Sequence, residues 1–152
     1  MTPPVEWLGL GDAARVLCVT RTRTPALVAA LDRPGRELVW LEGAVGLAAL
    51  AGHGRYDVAL VIDHLEHVTA RDGRLLLARL RDLHTHRVVA IVAPAQLAGW
   101  THADWRALEF GADGEAGALR RYTYDIVAYN PPREWNTPTH WANPRNFDRF
   151  RW

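Results

Sequence analysis

The stretch Tyr56–Val68, YDVALVIDHLEHV, decides how the rest of the chain is read. Its first seven residues, Tyr56–Ile62, form a nearly continuous apolar run between the turn formers Gly52–Gly54 and the polar pair Asp63-His64. A short run of this kind, without alternation, predicts a strand buried on both faces. Working backwards, Ala44–Ala51 is rich in alanine and leucine and predicts a helix, and Glu37–Leu41 (ELVWL) predicts a strand before it. Further back, Arg15–Thr20 (RVLCVT) is another apolar run of β character. Thr24-Pro25 follows it, a hydroxyl cap ahead of a proline suited to the first helical turn. The helix predicted over Ala26–Leu31 stops at Arg33-Pro34-Gly35.

Working forwards, Asp72–His84 (DGRLLLARLRDLH) predicts an amphipathic helix with Leu76, Leu80 and Leu83 on one face. Arg87–Ala93 (RVVAIVA) is a buried strand stopped by Pro94. The first 93 residues therefore read β-α-β-α-β-α-β, which implies a parallel sheet with right-handed crossovers and helices on both faces. Beyond it, Thr101–Leu108 predicts a short capped helix, the glycines at 111, 114 and 117 a turn-rich segment, and Arg121–Tyr129 (RYTYDIVAY) a last, antiparallel strand. The fold class is α/β: one Rossmann-like three-layer sandwich over residues 1–129, with a mostly parallel sheet of about six strands. Residues 130–152 form a separate tail holding four prolines, four asparagines, three tryptophans and two phenylalanines. Leaving five large aromatics in water forfeits roughly 1.5–3 kcal/mol each, so the tail is expected to be ordered and packed on the domain or on a partner subunit.

A chain of 152 residues with 49% hydrophobic and 23% charged residues is expected to be one globular domain. No apolar run approaches the length of a membrane span, and the N-terminus lacks a basic region followed by an apolar one. The single cysteine, Cys18, excludes an intramolecular disulfide, and a cytoplasmic location is expected. All 18 basic residues are arginine, which removes every mechanism that needs a lysine amine. With a net charge of +1 and arginines scattered among acids, neither nucleic acid nor membrane is an expected partner.

The segment YDVALVIDHLEHV resembles a stretch of class I S-adenosylmethionine-dependent methyltransferases, in which a strand ends in an acid and Leu-Glu-His opens the next helix. The helix and RVVAIV strand that follow, and YTYDIVAY near residue 129, are similar to later elements of that fold. The resemblance spans roughly residues 15–129 and implies a strand order 2-1-3-4-6-5. The whole chain, with its ending WANPRNFDRFRW, is also similar to a small bacterial family of unknown activity related to those enzymes. The methyltransferase resemblance implies a glycine-rich turn after the first strand for close backbone approach to the cofactor, an acid after the second strand for the ribose, and a residue after a third strand for the adenine. Here Arg21-Thr22-Arg23-Thr24-Pro25 stands in place of the glycines, Glu42 supplies the acid, and the adenine-side strand is missing, because one helix alone separates the second strand from YDVALVI.

Two other readings compete. A receiver domain shares the β-α pattern and would use Asp63 as phosphoacceptor, but it needs an acidic pair after the first strand and a lysine. The chain has Cys18-Val19-Thr20-Arg21 there and no lysine. A metal site would draw on Asp63, His64, Glu66 and His67, joined by His53, His84 or His86, yet the spacing matches no strong zinc pattern. Cys18, inside an apolar strand, is read as a small hydrophobe rather than a nucleophile.

The expectation is a methyltransferase-like domain that has lost or weakened S-adenosylmethionine binding and acts as an interaction or accessory protein. It would pair with a protein partner, or with itself, through the aromatic tail. No metal is expected, and S-adenosylmethionine is expected only if the fold keeps its binding. Under the alternative, methyl transfer is retained. The cofactor would then meet Thr20, Glu42 and Asp63, the acceptor Asp63, Glu66 and His67 as catalytic groups, and an anionic substrate Arg21 and Arg23.

Overall fold

The sheet forms around the three most apolar runs in the chain. In the computed structural model, which describes residues 2–129, these become β1 (Arg15–Thr20), β3 (Val58–Ile62) and β4 (Arg87–Val92). β2 (Glu37–Glu42) lies on the far side of β1. β5 (Gly111–Ala116) and β6 (Leu119–Asp125) close the sheet as an antiparallel hairpin, giving the order β2-β1-β3-β4-β6-β5. This is the order that the resemblance implies. The first four strands are parallel, and β6 runs antiparallel to β4.

Alternation along the strands sends side chains to two cores. On one face Val16, Cys18, Leu60, Ile62, Val89 and Ile91 pack against Leu27 and Leu31 of α1 (Pro25–Leu31) and against Leu8 of an N-terminal 3-10 turn. On the other, Leu17, Val19, Val61, Ala90 and Val92 meet Leu76 and Leu77 of α2 (Ala70–Arg79) and Trp105 of α3 (His102–Ala107). α1 begins where the sequence places it, with the Thr24 side chain accepting a hydrogen bond from the Leu27 N–H and Pro25 in the first turn. The expected packing of residues 130–152 lies outside the described residues.

Four local readings are corrected. Ala44–Ala51 is not an α-helix but a single 3-10 turn, Leu47–Leu50, held between an extended Gly46 and a left-handed Gly52. The five residues between these glycines are too few to repay the cost of nucleating an α-helix. The helix predicted to run to His84 changes at Leu80 into a π-turn, with the Thr85 N–H donating to the Leu80 carbonyl at 3.0 Å. The wider turn carries Leu83 to the surface, where it is 51% exposed, while Leu77 takes the core position. Gly111–Ala116 is strand β5, so of the three glycines only Gly117, at φ 58°, lies in the hairpin turn, which it makes with Ala118. The last strand ends at Asp125, whose side chain accepts from the Val127 N–H, and Ile126–Tyr129 form one helical turn, α4. Among the described residues no helix is long and apolar enough to cross a membrane.

Candidate functional site

β1, β2 and β3 end level with one another: Thr20 is in register with Glu42 on one side and with Ile62 on the other. The chain leaves β1 toward β2 and returns to β3 on the opposite side, so the loops after these strands part above β1. Such a switch point is where open α/β sheets form a crevice.

The loop after β3 sets the geometry. Asp63 takes a left-handed conformation, φ 49°, uncommon outside glycine, and its carbonyl accepts from the Arg21 N–H at 3.1 Å. This kink sends His64 inward and leaves the side chain of His67 partly exposed. His67 Nε2 lies 2.9 Å from Asp63 Oδ1, and its Nδ1 lies 2.8 Å from an Arg21 guanidinium nitrogen. A guanidinium can only donate, so Nδ1 is the bare acceptor and Nε2 carries the hydrogen given to Asp63. The result is a chain Arg21–His67–Asp63 that ties the turn after β1 to the turn after β3.

The remaining predicted residues separate. Glu66 turns toward β4, where one carboxylate oxygen accepts from the Ala93 N–H at 2.6 Å and the other is buried without a partner. Burial pushes its pKa up, opposed in part by the Ala93 N–H. Thr20 is buried, its hydroxyl donating to the Thr22 carbonyl at 3.3 Å. Glu42 is exposed, and Oε1 accepts from the Arg23 N–H at 3.1 Å. The Arg23 guanidinium lies over the Trp40 ring, 5.6 Å from its centroid, so Arg21 and Arg23 do not share a site.

A cleft of about 400 Å³ opens between these loops, lined by Arg21, Thr22, Gly43, Ala44, His64, His67 and Val68. The sequence offered His64 only as a candidate metal ligand beside Asp63, Glu66 and His67. The structure instead places His64 in the wall of the cleft, 1% exposed, with neither ring nitrogen hydrogen-bonded. The backbones of Val45 and Gly43 flank the ring and favour its protonation without reaching hydrogen-bond geometry. Burial outweighs them and lowers the pKa. The signal available in the sequence was its place directly after the acid that ends a buried strand, a position that faces the crevice once the acid kinks.

His84 Nδ1 donates to the Gly54 carbonyl, 3.0 Å away, His53 pairs with the Tyr56 hydroxyl at 2.8 Å, and His86 lies beside Arg55. All three precede β3 or β4 and sit at the opposite edge of the sheet, a strand length of about 16 Å from His67. Among the described residues no three His, Cys, Asp or Glu side chains converge as metal ligands.

No curated protein matches the chain. Among solved structures it is similar to the magnesium protoporphyrin IX methyltransferase of Synechocystis PCC 6803 with bound SAM. The identity is 17% and the TM-score 0.55, over 78% of this chain and 74% of that one. It is similar also to the Burkholderia thailandensis 1,6-didemethyltoxoflavin-N1-methyltransferase, solved with 1,6-didemethyltoxoflavin and S-adenosylhomocysteine. There the identity is 19% and the TM-score 0.51, over 79% of this chain and 75% of that one. The mitomycin 7-O-methyltransferase gives 18% identity and a TM-score of 0.53, and this chain spans only 53% of its length. At such identities the likeness establishes the fold, that of class I S-adenosylmethionine-dependent methyltransferases. A family model matches residues 6–152, past the last described strand to the end of the chain, and on that match the protein belongs to the Family of unknown function (DUF6231).

Proposed function

We propose that this chain is a methyltransferase-like domain that no longer binds S-adenosylmethionine in the manner of the enzymes it resembles and works instead as an interaction or accessory protein. The observation that carries the reading is the Arg21–His67–Asp63 chain, which lays a side chain across the edge where a glycine turn would offer bare backbone. No residue between Thr20 and Pro25 has a positive φ, so the turn after β1 lacks the glycine geometry that close cofactor approach uses. Among the described residues β2 is the outermost strand on its side, with no further strand beyond it to carry an adenine contact. The ribose acid is present as Glu42, with Oε1 engaged by the Arg23 backbone. Residues 130–152, inside the span of the family model, are the segment through which a protein partner or a second copy would be held.

The test is a calorimetric titration of the full chain with S-adenosylhomocysteine. The expected outcome is no heat and no thermal shift at about 1 mM ligand. A dissociation constant near 1 μM, about −8 kcal/mol, would instead favour the methyl-transfer reading, with Glu42 on the ribose.

A further inference from the structure

We infer that the cleft at the ends of β1, β2 and β3 binds a small molecule bearing an oxyanion, a phosphate or a carboxylate, through Arg21 at its mouth and the imidazole of His64 in its wall. The inference rests on the reading above, in that it takes the cleft to be free of the nucleoside cofactor.

His64 is the starting point. A buried polar side chain left without a hydrogen bond gives up its hydration for nothing in return, and an apolar residue of similar size would fill the same space without that cost. Both ring nitrogens of His64 are in that state, and the ring borders the cleft. A neutral imidazole carries one N–H, which can donate to an anionic oxygen placed at the ring.

Arg21 supplies the charge. It spends one terminal nitrogen on His67, and among the described residues no carboxylate lies within 4.0 Å of it. Its other N–H groups remain for a planar or tetrahedral oxyanion, the geometry that a guanidinium matches best. His67 lines the cleft as a neutral ring, by the tautomer argued above. The nearby carboxylates are occupied elsewhere: Asp63 by His67, Glu42 by the Arg23 N–H, and Glu66 by the Ala93 N–H. None of the three is in the lining, whose one formal charge is that of Arg21. Gly43 and Ala44 keep one side open, since a side-chain carbon added at Gly43 would meet nothing within 4 Å. The cleft, at about 400 Å³, falls in the size range of small-molecule sites.

Two other clefts among the described residues lack these features. In one, His53 and His84 already have partners. In the other, Arg36 is committed to the carbonyls of Gly11, Ala13 and Leu31.

The experiment is a titration of the full chain with inorganic phosphate, and separately with acetate, at constant ionic strength and about pH 8, where an ordinary imidazole is neutral. It is followed by the imidazole ¹H–¹⁵N signals of His64. A saturable shift is expected with at least one of the two, with a dissociation constant of about 1 mM, and whichever probe saturates names the oxyanion. Arg21→Gln, at an exposed position, should weaken that binding tenfold or more while the anion-free protein still unfolds in one cooperative transition. His64→Gln should weaken it as well. His64 signals that stay still, or drift linearly to about 50 mM of both probes, overturn the inference, as does equal binding by Arg21→Gln. S-adenosylhomocysteine is titrated in parallel. Binding of that ligand defeats the accessory reading, whereas silence toward all three ligands defeats the oxyanion site alone.

Discussion

Asp63 and His64 are neighbours in the chain with opposite fates, one at the surface with two hydrogen-bonded contacts, the other buried with none. Burial makes His64 and Glu66 sources of pH dependence with opposite signs. His64 has a pKa below its ordinary 6.5, so the unfolded chain takes up a proton that the folded one refuses as pH falls below about that value. Stability should therefore drop on acidification from about pH 6.5, by at most about 1.4 kcal/mol per pH unit, and thermal melts of His64→Gln should lack that limb. Glu66 has a pKa above its ordinary 4.5, so its favourable contribution is present below that value and lost as pH rises through the folded-state pKa. Glu66→Gln keeps an oxygen for the Ala93 N–H and should gain on the wild type as pH rises. Melts over pH 5–8 that run parallel for the two proteins would refute this. Burial also pushes the Cys18 thiol up to about 12. It should resist alkylation at neutral pH until denaturant is added, and a native protein that reacts at once would contradict its place in β1.

The helical elements show how local signals and packing share the decision. α3 was legible because its start is written locally. The Thr101 hydroxyl and the Asp104 carboxylate reciprocally cap the first turn, and Thr101 stands three residues before Asp104 in the sequence. Thr101→Ala should cost about 1 kcal/mol in denaturant unfolding. α2 was legible in its middle and not at its ends, because the π-turn at Leu80–His84 answers to the sheet beneath it rather than to spacing. Gly73 in α2 is an ordinary helical site by its backbone. A methyl there would come 2.8 Å from a ring carbon of Trp100 and 3.2 Å from a methyl of Leu65. Trp100 stacks on Trp105 at 4.6 Å, and Trp105 on Tyr122 at 3.8 Å, so the ring has little room to move. Overpacking of about 1–3 kcal/mol should exceed the propensity gain of about 1 kcal/mol, so Gly73→Ala should lower the denaturant midpoint. A raised midpoint would show that Trp100 yields.

At the scale of the molecule, the described sheet is complete from β1 toward β5, and β2 stands outermost on the other side. The family model continues to residue 152, which makes residues 130–152 part of the same inherited unit. A chain ending at Tyr129 should melt well below the full chain or fail to remain soluble, as the five aromatic residues of the tail suggest. Equal melting temperatures would show that the tail adds nothing to the domain.

The four parallel strands and the starts of α1 and α3 were legible in the amino-acid pattern, through apolar runs and caps, whereas the strand order came from the resemblance and β5 was hidden by its glycines. Composition alone excluded lysine chemistry. What the tertiary structure decided is the site. Arg21 and His67 are 46 positions apart, and no local rule says that their side chains meet; they do because β1 and β3 end in register. The same register separates Arg23 from Arg21, turns Glu66 onto β4 and leaves His64 in the wall of a cleft. Side-chain direction at a strand end depends on a backbone kink and on what packs beside it, and both are properties of the assembled sheet.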